Sequence, residues 1–187
     1  DISMSTLFVN NLNTASGSTI TVPTGKKLVV TDAGGVQVPH MIGQMVQSGT
    51  IAGHSNSASA TWADTNYTLA ITPTATSSKV LVHFHIPFRL NGTSTYMRGA
   101  FRLNRAISGG STTLIWNTSS NFEQFQVRNA TNEHDGIMNM TFLDSPSTTS
   151  AVTYTMQSYR HSDSNMQYID SEQSGFGGNI LLQEVLG

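Results

Sequence analysis

Residues 79–104 read KVLVHFHIPFRLNGTSTYMRGAFRLN. The first ten, 79–88, are rich in β-branched and aromatic residues, which predicts the strongest strand of the chain. Asn91-Gly92 is a dipeptide that favours a tight hairpin, so the chain is expected to reverse there. Residues 97–104 then return as another strand.

Working outward, the same grammar repeats. Residues 67–72 are strand-like and end at Pro73, and 74–78 form a turn cluster. Ser108-Gly109-Gly110-Ser111 is another turn, followed by strand-like 113–116 and 122–128. Residues 137–143 precede a loop around Pro146. Residues 152–160 alternate cleanly, with Val152, Tyr154, Met156 and Ser158 on one side. Gly177-Gly178 leads into a final strand over 179–185. Short strands parted by turns predict an all-β fold with an antiparallel jelly-roll or β-sandwich head. An open sheet with a helix over 39–48 is the alternative.

In front of the head stands 16–38, SGSTITVPTGKKLVVTDAGGVQV. It reads as two short strands, 18–22 and 27–31, broken at Pro23–Gly25 and closed by Gly34-Gly35. A lone hairpin is marginal in water. Ile20, Val22, Leu28 and Val30 therefore need outside cover, and identical copies of the chain are the simplest source. The expected organisation is an N-terminal β-stalk and attachment segment over 1–38, a connector over 39–60 and the head over 61–187. Within the connector, VPHMIGQMVQ is ambiguous between a strand and an irregular crossing. The start, Asp1-Ile2-Ser3 and not Met, reads as a processed or excised chain or a tag remnant.

Composition narrows the partners. Ser, Thr, Asn and Gly supply about two-fifths of the 187 residues, and only 11% are charged. The formal net charge is −2, and Arg89, Arg98, Arg102, Arg105, Arg128 and Arg160 are spread singly. A surface that tracks phosphates needs clustered cations, so nucleic acid is not an expected partner. There is no cysteine, hence no disulfide or thiolate metal site. No apolar run approaches the roughly 20 residues of a membrane span, so membrane insertion is not expected.

Several groups could carry chemistry. His83 and His85 sit at i and i+2 of a strand, so both imidazoles face one way; two such histidines more often bond polar neighbours than a metal. Asp163, Asn165, Asp170 and Glu172 make the densest acidic stretch but lack ordered calcium-loop spacing. Glu133, His134 and Asp135 could be an acid/base group, though a turn before a strand explains them with less. Asp64, Glu123, Asp144 and Asp170 are scattered, and no nucleophile motif occurs, so no enzymatic activity is expected. Trp62, Trp116, Tyr96, Tyr159 and Tyr168 could stack on sugars if exposed. Trp116 and Tyr168, nearest the turn-rich segments, rank first as receptor or glycan contacts.

The opening STLFVNNLNTASGSTITVPTGKKLVV, the body segment LAITPTATSSKVLVHFHIPF, the strand YMRGAFRLNRA and the ending GGNILLQEV together resemble short fibre and appendage proteins of tailed bacteriophages, particularly marine ones. The resemblance spans most of the chain as pattern and includes no catalytic signature. It implies a homotrimeric virion protein, located on a tail appendage or the capsid surface, with a trimeric stalk and a jelly-roll head. It further implies a fibre or spike head that binds a host cell-surface glycan or outer-membrane protein. The alternative is a capsid-decorating or tail-assembly protein that binds other virion proteins; a polysaccharide depolymerase ranks last. In a trimer, His83 and His85 near the axis would offer six nitrogens to a transition metal. No cofactor is otherwise required.

Overall fold

The computed structural model describes residues 22, 24–26, 38–51, 55–56, 60–91, 96–117, 125–128, 133–160, 165–168 and 177–187. The chain divides into two compact units, Asp1–Val36 and Gln37–Gly187. In the first unit Val22 is 44% exposed. Ile20, Leu28 and Val30, the other stalk residues, lie outside the described residues.

The second unit is all-β. Its strands are β1 (Ile42–Gln47), β2 (Ser55–Asn56), β3 (Trp62–Ile71), β4 (Lys79–Asn91), β5 (Tyr96–Ile107), β6 (Thr112–Trp116), β7 (Phe125–Arg128), β8 (Glu133–Asp144), β9 (Val152–Arg160), β10 (Asn165–Tyr168) and β11 (Asn179–Val185). Every pairing among them is antiparallel. The first sheet runs β1-β11-β4, with β8 along one edge of β4 and the short β10-β2 pair continuing past β11 on the other. The second runs β3-β9-β5, with β6 and β7 side by side on β5. From β2 to β5 and again from β7 to β10, successive strands alternate between the two layers, the wiring of a jelly roll. Among the described residues no helix is long and apolar enough to cross a membrane.

Period-two alternation explains the core. From the first sheet, Val82, Phe84, Ile86 and Leu90 of β4, Met138 and Met140 of β8, and Ile180 and Leu182 of β11 point inward. From the second, Tyr67 and Ile71 of β3, Phe101 and Leu103 of β5, and Tyr154 and Met156 of β9 meet them. Phe88 and Phe101 touch edge to face across the layers, centroids 5.8 Å apart. The alternation of β9 falls as its sequence requires, with Val152, Tyr154, Met156 and Ser158 all buried.

One expectation fails, and two segments gain strands. The hairpin expected at Asn91-Gly92 does not form, because β4 and β5 belong to different sheets. A reversal-prone dipeptide turns the chain but does not choose its partner. β4 instead pairs with β8 over twelve consecutive residues, Val80 with Asp144 through Asn91 with Glu133. Second, the segment read as a connector supplies β1, which pairs with β11, and β2. Its strand character is faint because β1 is an edge strand with a mostly exposed burial pattern. Third, β10 lies inside the acidic stretch that holds Asp163, Asn165, Asp170 and Glu172. The turn at Ser108–Gly110 does join neighbours, β5 and β6; Gly109 takes φ of 77° there.

Candidate functional site

The outer face of the second sheet carries the most organised exposed side chains. Register sets its rows. Trp62 of β3 lies beside Tyr159 of β9 and Ala100 of β5, and Asp64 lies beside Gln157 and Arg102. Thr68, Thr155 and Asn104 form the next row. These residues alternate with the core-facing ones along each strand; Ala100 and Tyr159 are covered on this face, while Trp62, Asp64, Arg102 and Gln157 reach its surface.

The geometry is specific. The Arg102 guanidinium lies over the Trp62 ring, 4.4 Å from its centroid. Trp62 meets Tyr159 at a tilt, centroids 5.3 Å apart. Arg102 Nε donates to Gln157 Oε1 at 2.6 Å, and Gln157 Nε2 donates to Asp64 Oδ1 at 2.6 Å. Burial pulls the Arg102 pKa below its ordinary value, against the opposing charge of Asp64. Tyr159 is only 8% exposed, so it acts as the floor under Trp62.

Local structure holds this row in place. Ala60 enters β3 with φ of 55°, and its N–H donates to the Arg160 carbonyl, tying the start of β3 to the end of β9. A left-handed alanine costs about 1–2 kcal/mol, so this entry is held by its surroundings. Beyond Asp64 the register slips, with Asp64 opposite Gln157 but Thr68 opposite Thr155. Such bulges re-aim side chains. Thr65 satisfies the irregular backbone: its hydroxyl donates to the Met156 carbonyl at 2.7 Å and accepts from the Tyr67 N–H at 3.0 Å.

The residues ranked first in sequence lie elsewhere. Trp116 is half-buried and packs against the core from β6. Tyr168 belongs to β10, and its side chain lies outside the described residues. Trp62 and Tyr159, ranked lower, are the aromatic pair that the fold assembles with charged and amide groups. The missed signal is in β9, where the alternation that buries Tyr154 and Met156 also places Gln157 and Tyr159 on the opposite side of the strand, Tyr159 there covered by Trp62.

His83 and His85 do face one way, on the outer face of the first sheet. Each is matched to a partner on β8: His83 Nδ1 lies 3.1 Å from Thr141 Oγ1, and His85 Nδ1 lies 2.7 Å from Asn139 Oδ1. No group of three or more His, Cys, Asp or Glu able to hold a metal occurs among the described residues. Asp135 bonds Arg89 at 2.6 Å, which holds its carboxyl below the ordinary range. Asp144 points inward and binds Arg105 at 2.9 Å, whereas Asp64 is exposed on the opposite sheet, so these two carboxylates do not form a pair. Glu123, Asp163, Asp170 and Glu172 lie outside the described residues.

No protein-family model matches the chain. No curated protein matches it either. Among solved structures, one of the infectious bursal disease virus Gx strain aligns with a TM-score of 0.38 and 8% identity, over 76% of this chain and 37% of that one. The crystal structure of the infectious bursal disease virus VP2 subviral particle aligns with a TM-score of 0.35 and 8% identity, over 77% of this chain and 37% of that one. This chain therefore spans little more than a third of each. The jelly-roll assignment rests on the strand order itself.

Proposed function

We propose that the protein is a non-enzymatic virion component, the head of a fibre or spike, which attaches to a host surface by binding glycan on the outer face of its second sheet. One observation carries the reading. Trp62, Arg102, Gln157 and Asp64 form a continuous array on an open sheet face, with an aromatic ring at one end and a carboxylate at the other. Sugars present apolar ring faces and dense hydroxyls, and an aromatic surface bordered by amide, guanidinium and carboxylate groups complements both. Because the array is already bonded together, little side-chain ordering remains to oppose binding. The virion setting comes from the resemblance to phage appendage proteins. Presentation on a homotrimer would turn weak single contacts into firm attachment.

The test is binding of the purified protein to a panel of bacterial surface polysaccharides, together with inhibition of phage adsorption. Trp62→Ala should weaken binding at least tenfold while the thermal transition stays cooperative. Equal binding by wild type and variant removes this site from the proposal.

A second reading has its own observation. The outer face of the first sheet is more apolar: Met45 is 62%, Ile137 54% and Leu143 49% exposed. Met45, Gln183, Leu81 and Leu143 fall in one row across four strands. Exposed apolar surface of this kind favours contact with other protein, either copies of the chain or further virion proteins. Failure to bind any cell or glycan, with retained binding to virion proteins, would favour a decorating or assembly role.

A further inference from the structure

Arg102 and Asp64 stand in the same row with only Gln157 between them. Opposite charges so placed could have paired directly, and in this fold they do not. Gln157 bonds both, accepting from Arg102 Nε and donating to Asp64 Oδ1. The result is a cation and a carboxylate each held by a single atom. Among the described residues, neither Nη group of Arg102 has a hydrogen-bond partner, and Asp64 Oδ2 has none. The guanidinium plane is nevertheless fixed, by Trp62 beneath it and Gln157 at its side. A fixed plane with two uncommitted Nη groups is the donor fork that matches a carboxylate. Charge agrees with this. Among the described residues of this outer face, Arg98 and Arg102 outnumber the single acid, Asp64.

Resting on the glycan-binding reading above, we propose that the ligand is an acidic glycan whose uronate carboxylate is taken by the two Nη groups of Arg102. Asp64 Oδ2 accepts a hydroxyl of the same or the adjoining sugar. Trp62 supports the guanidinium plane from beneath. Gln157 is a positioning residue that keeps the two charged groups from neutralising each other.

The experiment is calorimetric titration of the full chain with four probes: galacturonan oligomers, the same oligomers as methyl esters, sulfated dextran, and unmodified dextran. The galacturonan should bind at least tenfold more tightly than its neutral ester. Arg102→Gln should abolish that preference. Arg102→Lys, which keeps the charge but not the fork, should lose most of it. Gln157→Leu should also lose most of the preference, because Arg102 and Asp64 can then pair, and Asp64→Asn placed on that variant should restore part of it.

If sulfated dextran binds as well as galacturonan and Arg102→Lys changes neither, the surface senses only charge, and the carboxylate assignment is overturned. If ester and acid bind alike, the acidic-ligand inference falls while the glycan-binding reading stands. If no probe and no surface polysaccharide binds, both fall together. Circular dichroism on each variant separates lost binding from lost fold.

Discussion

At the scale of single residues, the buried polar groups of the core margin are as informative as the exposed face. Glu184 of β11 has no exposed surface, yet among the described residues its bonding partners are neutral. Burial acts to raise its pKa, but hydrogen bonds from Gln44 Nε2 (2.7 Å), the Thr74 N–H (2.6 Å) and the Thr74 hydroxyl (2.8 Å) help outweigh it, and the carboxyl sits below its ordinary range. A depressed folded-state pKa contributes stability that is complete above the unfolded-state value, near pH 4.3, and disappears as pH falls through the folded value. The urea midpoint should therefore hold steady from pH 7 to about 5 and drop below about 4. Glu184→Gln should flatten that drop. It should also cost about 1–3 kcal/mol at neutral pH, since an amide nitrogen would face donors.

Asp144 gives a second residue-scale prediction. It accepts two bonds from Arg105, at 2.9 and 3.1 Å, and one from the Tyr154 hydroxyl at 2.8 Å. Burial first, and then the charge of Asp144, pushes the Tyr154 phenol far up, so it remains a donor throughout the accessible pH range. Arg105→Leu should cost about 3–5 kcal/mol by stranding a buried carboxylate. Tyr154→Phe should cost about 1.5–3 kcal/mol, the smaller loss, because the ion pair survives. Chemical denaturation of both variants checks the order. Neither group was legible in the sequence: Asp144 and Glu184 lie at or next to a strand end, and their partners come from the facing sheet for Asp144 and from β1 and the Thr74 loop for Glu184.

At the scale of elements, β11 shows how little room the sandwich leaves. A Cβ on Gly178, just before β11, would run into the Tyr67 hydroxyl and lie 2.5 Å from the His85 carbonyl oxygen. Gly178→Ala should lower stability by about 1–3 kcal/mol or more, read as a lower melting temperature, whereas Gly109→Ala meets no atom and strains only the left-handed turn. Gly177-Gly178 was legible as the lead into a strand but not as a packing constraint. Strong strands were legible because burial on one face imposes alternation, as in β4, β9 and β11. β1 and β10 were not, because an edge strand or a four-residue strand carries too few buried positions to write a period. The candidate site was half legible. Trp62 and Tyr159 were on view as aromatics, but their meeting with Arg102 and Asp64 depends on which three strands lie side by side, and no local spacing records that.

At the scale of the molecule, the two outer faces divide the labour proposed above: one hydroxyl-rich and centred on Trp62, the other apolar with its Arg89–Asp135 pair already joined. We expect light scattering to give a mass near three times the 20.1 kDa of one chain. Met45→Ser together with Leu143→Ser should shift that mass toward one chain if the first sheet's face is buried between copies. An unchanged trimer would leave residues 1–38 as the holding element. Relative burial is the physical reason composition could not separate these cases, since Thr and Met look alike in a list whether they face water or a neighbour.

β11 is sandwiched between β1 and β4, so the strand made last among the described elements is an interior stave of the first sheet. During synthesis β1 and β4 wait without their common neighbour, with hydrogen-bonding edges bare, until residues 179–185 leave the ribosome. Assembly of the first layer therefore waits for residues 179–185, and a nascent chain stalled before Asn179 should be open to protease and to chaperone capture.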